Sequence, residues 1–279
     1  MFYQSIRIQI AIITKLINNT KFKIDKGDHL LDTHTHILWN IDDGSKNQCM
    51  SLQMLEIAAR SGTKAIFATP HVIERANKPS WEEIKEKTQQ LRQLCAEAQI
   101  DIMLYPGAEV QMNWELLPEL GATGAYCLNG GRYLLIELPA AEIPAYADEF
   151  WYELELKGIT PILAHPERYQ QLRENPDLLL LWRRRGMLMQ CNSGSFTGMF
   201  GSSVCENAKV LLANGLVDLL GSDGHRSEGR NTDMSRAAAV IRQLAGEEVL
   251  RQLTETNPQA ILKNQEIELK QPKVLLEDK

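Results

Sequence analysis

From Leu30 onward the chain repeats one pattern. A short apolar run ends on a histidine, an acid or a polar turn, and an amphipathic helical stretch follows. The runs are "HLLDTH", "KAIFATPH", "DIMLYPGAEV", "YLLIEL", "TPILAHPER", "MLMQCNSG" and "VDLLGSDGH". Continuous rather than alternating apolarity marks strands covered on both faces, and strands separated by helices are parallel. No G-x-G-x-x-G or P-loop follows the first run, so a closed βα barrel is expected over an open nucleotide-binding sheet.

The helices carry their own punctuation. "CMSLQMLEIAARSG" stops at Gly62, and "DEFWYELELKG" stops at Gly158. In "SWEEIKEKTQQLRQLCAEA", Ser80 with Glu83 three residues later makes a capping box. "NPDLLLLWRRRG" offers Asn175 as cap, Pro176 in the first turn and Gly186 as stop, so Arg183–Arg185 reads as a helix end. Two more helices follow the last strand, in "DMSRAAAVIRQLAG" and "EEVLRQLTE".

The chemistry gathers at the strand ends. His34 and His36 close the first run, His71 the second, His165 the fifth and His225 the seventh, two residues after Asp223. Glu109 ends the third and Glu137 the fourth. In a parallel barrel these ends share one face, where active sites form. Residues two apart on a strand point the same way, so His34 and His36 can grip one ion together. Either Asp42 or Asp43 can supply a carboxylate beside them, and spacing does not choose between the two. Five imidazoles and four carboxylates without cysteine make a ligand set for Mn, Zn or Fe in hydrolysis.

Composition narrows the partners. The chain has 279 residues, 44% of them apolar, and a net charge of −6. That is enough for one large barrel, and no basic run suggests a nucleic-acid face. Five widely spaced cysteines without a CxxC argue against a disulfide framework and for a reducing compartment, the cytoplasm. Near the N-terminus the longest uncharged run, Ile8–Thr14, is too short to span a membrane. Residues 1–28 read as an extension that could carry a docking helix, 29–265 as the single domain and 266–279 as a tail whose "KQPKVLLEDK" is expected as an exposed arm.

"DTHTH", "TPH", "GAEV", "IEL", "AHPERY" and "GSDGH", in this order, resemble the motif series of the PHP (polymerase and histidinol phosphatase) superfamily. With "IDDGSKN", "HPERY" and "QCNSGSFTGMFG", the chain is similar more specifically to CpsB-type tyrosine-protein phosphatases of capsule and exopolysaccharide operons. The resemblance covers Leu31 to Gly246; "LWNIDDG" departs from the usual turn before the acids. It implies an α/β fold, a distorted parallel (β/α)7 barrel with three divalent ions, manganese first and zinc or iron as alternatives. The first ion would take His34, His36, Glu109 and Asp223. The second would share Glu109 and add Glu137 and His165, and the third would take Asp43, His71 and His225. Arg168 and Arg230 match phosphate-binding arginines, and Asp43 and His225 stand as candidates to assist the leaving group. The implied reaction is phosphotyrosine hydrolysis by a metal-activated hydroxide. Its substrate would be a phosphotyrosine protein, a bacterial tyrosine kinase with a tyrosine-rich tail, with no nucleic acid and no stable membrane insertion. Ions and carboxylates together leave a net positive site suited to a phosphate dianion.

One absence supports a metal route. Cysteine-dependent tyrosine phosphatases need Cys-x5-Arg. The residues six after each cysteine are Leu55, Asp101, Tyr133, Thr197 and Leu211, none of them arginine. Cys191 reads as a core thiol. "QCNSGSFTGMFG" reads equally as a cleft border or as a plain strand-to-helix connection. Histidinol phosphate phosphatase is the alternative small-molecule reading. A phosphodiesterase follows, disfavoured by the acidic charge. A non-enzymatic module with a vestigial site would require missing ligands.

Overall fold

The computed structural model describes residues 29–121, 124–269 and 272. The extension 1–28, with its expected docking helix, and the tail beyond Leu269 apart from Pro272 lie outside the described residues. Among the described residues no helix is long and apolar enough to cross a membrane.

Strand β1 (Leu30–Thr35) pairs in parallel with β2 (Thr63–Ala68) across helix α1 (Gln48–Arg60). The short β3 (His71–Val72) follows, then α2 (Trp81–Glu97), β4 (Met103–Pro106) and β5 (Glu109–Gln111). Next come β6 (Tyr133–Glu137), α3 (Ala147–Leu156) and β7 (Thr160–Ala164). Helices α4 (Gln170–Glu174) and α5 (Asp177–Arg184) lead to β8 (Leu188–Asn192). Then α6 (Ser193–Phe196) and α7 (Ser202–Ala213) precede β9 (Leu219–Gly221). Helices α8 (Ser235–Ala245), α9 (Glu247–Arg251) and α10 (Asn257–Leu262) close the described chain, the last two joined by a π turn at Gln252–Thr256.

All the strand pairs are parallel, in the orders β1-β2-β4 and β3-β5-β6-β7-β8-β9. The sheet curls into a half-barrel. After β9, Asp223 N donates to His34 O at 2.7 Å, and His36 N donates to Gly224 O at 3.0 Å. These bonds return the last strand to the end of the first. Two runs read as single strands are each divided: the break falls at Thr69-Pro70 between β2 and β3, and at Gly107-Ala108 between β4 and β5. Proline removes a ladder donor. A Cβ on Gly107 would stand 2.6 Å from Leu128 Cδ2, so the chain there hugs its neighbour.

Continuous apolarity along the strands has a visible cause. On β6, Tyr133 and Leu135 join one core cluster while Leu134 and Ile136 join the other. On β7, Ile162 and Ala164 face one side and Leu163 the other. Each side chain so buried contributes roughly 1.5–3 kcal/mol before entropy is counted. Helix α2 buries Trp81, Ile84, Thr88, Leu91 and Cys95, a spacing that keeps one face inward. Ser80 Oγ accepts from Glu83 N at 3.1 Å, the cap its sequence promised.

The helix-end reading of Arg183–Arg185 holds: α5 ends at Arg184, with Arg183 and Arg184 in its last turn and Gly186 beyond it at φ 90°. Arg183 is buried, ion-pairs with Asp218 and also donates to Gly215 O at 3.1 Å. It braces α5 against β9, a role that needs tertiary neighbours. Asn175 does not cap α5: it is the C-cap of α4, and Pro176 holds the position before Asp177 with no side-chain cap.

Candidate metal centre

β1 ends with His34 Nε2 and His36 Nε2 3.1 Å apart. Glu109 Oε2 stands 3.1 and 3.3 Å from these two nitrogens. Asp223 Oδ1 stands 3.6 and 3.3 Å from them. Four lone-pair atoms therefore converge with no donor between them. A tetrahedral ion with arms near 2.1 Å needs edges of about 3.4 Å, so the separations fit a divalent cation.

The other predicted donors adjoin this group. His71 Nδ1 lies 3.1 Å from Glu109 Oε2 and 3.3 Å from Glu137 Oε1. His165 Nε2 contacts Glu109 Oε1 at 2.8 Å. Asp43 Oδ1 faces His225 Nε2 at 3.3 Å and His71 Nε2 at 3.8 Å. His71 thus looks both ways, toward the glutamates through one nitrogen and toward Asp43 through the other. Three donor groups result: His36, Asp43, His71 and His225; His34, His36 and Asp223; and His71, Glu109 and Glu137. His71 Nδ1, His165 Nδ1 and Asp223 Oδ1 are buried without a hydrogen bond. Orphaned buried atoms of this kind call for a partner, and metal ions suit imidazole and carboxylate donors.

A supporting layer fixes the donors. Asp42 Oδ2 accepts from His36 Nδ1 at 2.7 Å and from His71 N at 3.0 Å. Gln190 Oε1 sits 2.9 Å from His34 Nδ1, and Asn192 Nδ2 donates to Asp223 Oδ2 at 2.6 Å. Such partners set which ring nitrogen is free to ligate. Asp42 and Asp43 therefore divide the work: one orients an imidazole, the other joins the donor group. His165 and Asp223 adopt left-handed backbone at φ 37° and 53°, a conformation that costs non-glycine residues energy and recurs at functional sites.

Sequence reasoning missed Gln190 and Asn192. Their signal was present: two polar residues spaced by two in an apolar strand, as with His34 and His36. Glu167 was also missed; its buried carboxylate accepts from Asn192 N at 2.9 Å and Ser195 Oγ at 2.6 Å.

The electrostatics favour positive charge here. Burial lowers the pKa of His36, but the nearby carboxylates of Asp42, Asp223 and Glu109 outweigh it, leaving it well above the ordinary value. His34 and His71 are likewise raised, burial opposing and Glu109 among the acids prevailing. Burial opposes ionisation of Glu109 and Asp223, yet His34 and the neighbouring imidazoles hold both far below the carboxylate range. His225 is the exception, pulled down to about 4 by burial and by His36.

Both predicted arginines reach the cluster. Arg168 Nη1 donates to Asp223 Oδ2 at 3.2 Å, and Arg230 pairs with the same oxygen. Their guanidinium carbons lie 4.6 and 5.6 Å from the Phe200 ring centre. Phe200 belongs to the "QCNSGSFTGMFG" stretch, which therefore borders the arginine pair. Cys191 is buried, and burial with Glu167 nearby raises its thiol far above the ordinary value, which suits a core thiol. The described cysteines are free thiols.

A cleft of about 600 Å³ opens over the donors, lined by Asp43, His71, Glu137, His165, Arg168 and Arg230 among others. A second cavity of about 800 Å³, lined by Trp151, Tyr152, Trp182 and Ile267, sits at the opposite ends of β6–β8 and holds none of these donors.

The chain is 34% identical over 238 residues to tyrosine-protein phosphatase YwqE of Bacillus subtilis, covering 85% of this chain and 93% of that protein. It is 28% identical over 241 residues to tyrosine-protein phosphatase CpsB of Streptococcus pneumoniae, covering 85% and 99%. A crystal structure from work on YwqE and CpsB, described as unique metal-dependent tyrosine phosphatases, superposes with a TM-score of 0.83 at 33% identity, over 88% of this chain and all of that one. A histidinol phosphate phosphatase from Lactococcus lactis shares the fold alone, with a TM-score of 0.51 at 16% identity over 78% of this chain and 94% of that one. The family model for capsular polysaccharide synthesis, CpsB/CapC, matches residues 30–263, and the chain belongs to that family.

Proposed function

We propose that the chain is a metal-dependent protein-tyrosine phosphatase built on a distorted (β/α)7 barrel spanning residues 29–265. The observation that carries this reading is the convergence of nine imidazole and carboxylate donors, six of them lining one open cleft beside two arginines and His34, His36 and Asp223 buried behind them. The proposal assigns three divalent ions, manganese first and zinc or iron as alternatives. His34, His36, Glu109 and Asp223 would hold one. Glu109, Glu137 and His165 would hold the second, and Asp43, His71 and His225 the third. Bound divalent ions would polarise phosphoryl oxygens and lower the pKa of water.

The chain's own residues supply the rest. Arg168 and Arg230, both on Asp223 Oδ2, present guanidinium groups to the equatorial phosphoryl oxygens. Gln190, Asp42 and Asn192 keep the donors in place. Asp43 and His225 flank the leaving group's side. Asp43 is held low by His225, and His225 lies near 4. Tyrosine's phenol, with a pKa of about 10, leaves without strong acid help. The family description, capsular polysaccharide synthesis, supports a place beside capsule synthesis, and the proposal takes a bacterial tyrosine kinase tail as the substrate and the cytoplasm as its location.

The test is phosphate release by manganese-reconstituted protein from a phosphotyrosine peptide and from histidinol phosphate. Peptide turnover that vanishes with chelator and in His165→Ala, yet survives replacement of all five cysteines, is the expected result. Turnover of histidinol phosphate alone would discard the substrate assignment. Silence on both with metals bound would point to phosphodiesters.

A further inference from the structure

The cleft extends past the donors into a groove with two unlike walls. One wall is the segment 138–143, with Pro139 and Ala140 in its apolar lining; the other is Tyr169 and α4. The walls are tied together. Tyr169 Oη accepts from Leu138 N at 2.9 Å and lies 3.3 Å from Leu138 O. Gln171 Oε1 accepts from Ile143 N at 2.8 Å. Tyr169 also rests its ring 5.5 Å from that of His165. The groove is therefore preformed and mechanically joined to the donor cluster, which lowers the ordering cost of anything bound in it.

Its charge is one-sided. Among the charged residues lining the cleft, Arg168 and Arg230 are engaged with Asp223, and the remaining acids and histidines belong to the donor groups. Glu174, exposed at the end of α4, belongs to neither set. It stands four residues beyond Gln170, about 6 Å along the helix. Its partner in the groove is Gln170 Nε2 at 2.6 Å, a neutral amide that a cation can displace.

We propose that this groove seats the peptide flanking the phosphotyrosine, and that Glu174 selects a lysine or arginine beside it. The inference rests on the phosphatase reading for the identity of its anchor. Pro139 and Ala140 on the 138–143 wall receive the aryl ring, and the phosphate lies on the cluster. The neighbouring residue then falls along α4, within reach of Glu174.

The test uses matched phosphotyrosine peptides carrying lysine or glutamate at the flanking positions, assayed with manganese-loaded protein. The lysine peptides should be favoured about three- to fivefold in kcat/KM, the range of an exposed ion pair, and the preference should shrink at high salt. Glu174→Lys should reverse it, and Glu174→Gln should erase it. Equal ratios in wild type and Glu174→Lys would overturn the inference. The same peptides with a non-hydrolysable difluorophosphonate in place of the phosphate report binding by calorimetry. A lysine preference there that reverses in Glu174→Lys upholds the groove even if no peptide is hydrolysed, a result that would defeat the phosphatase reading alone. No reversal in binding would defeat the groove even if hydrolysis is brisk.

Discussion

Asp42 holds His36 through a 2.7 Å contact between Oδ2 and Nδ1, while Asp43, the next residue, turns Oδ1 to within 3.3 Å of His225 Nε2. Adjacent acids thus act at different depths. Asp42→Asn should keep the metal stoichiometry and weaken affinity about 10- to 100-fold, the usual cost of losing an outer partner. Asp43→Asn should lose about one equivalent of bound metal. Calorimetric titration of both variants distinguishes them, and equal stoichiometry in the two would contradict this division.

On the proposed assignment, protons and metal ions would compete for the same imidazoles. The pKa values of His34, His36 and His71 lie above the ordinary value, so metal affinity should already weaken as pH falls from above about 6.5. His225, near 4, should not add to that loss at pH 5. Chelator-treated protein should respond differently. The raised histidines stabilise the fold below the unfolded value and lose that contribution as pH rises through their folded values. The lowered Glu109 and Asp223 contribute above the ordinary carboxylate range and lose it as pH falls through theirs. Urea melts across pH, with chelator and with manganese, should therefore show the optimum moving upward when metal is added. An unmoved optimum would refute the competition.

Gly44 is required by space. A Cβ there would lie 2.2 Å from His36 O and 2.5 Å from His36 Cβ. Gly44→Ala should displace His36 and cut metal affinity at least about tenfold, with a stability loss of roughly 1–3 kcal/mol from overpacking. Metal binding indistinguishable from wild type would show that the turn relaxes freely.

Phe200 supports two cations from one ring. Phe200→Leu should weaken inorganic phosphate binding by about two- to fivefold, in line with roughly 0.5–1 kcal/mol for an exposed cation–π contact. Arg168→Ala should cost about 10- to 100-fold, the worth of a charge-assisted hydrogen bond. Phosphate inhibition constants measure both, and a larger loss in Phe200→Leu than in Arg168→Ala would invert this ordering.

Arg183 and Asp218 form a buried pair far from the cleft. Arg183→Ala should destabilise the fold by about 3–5 kcal/mol by leaving a buried charge, while leaving metal stoichiometry unchanged. Denaturant melts beside metal titrations check both halves.

The sequence by itself determined the parallel strand–helix rhythm, the donors and the side of the sheet they occupy. Continuous apolar runs read as strands covered on both faces, and six of the seven carried a histidine or acid at the same end, "MLMQCNSG" ending on a polar turn instead. The two-residue spacing in "HTH" determined that His34 and His36 share a face, because strand geometry is local. Only the tertiary structure decided which of Asp42 and Asp43 faces which imidazole, since a turn carries no fixed period. Only it gave Gln190 and Asn192 their partners, 156 and 31 residues away in sequence from His34 and Asp223. It also gave Arg183, in the last turn of its helix, a buried partner, because the pairing with Asp218 exists only once β9 has packed beside β8.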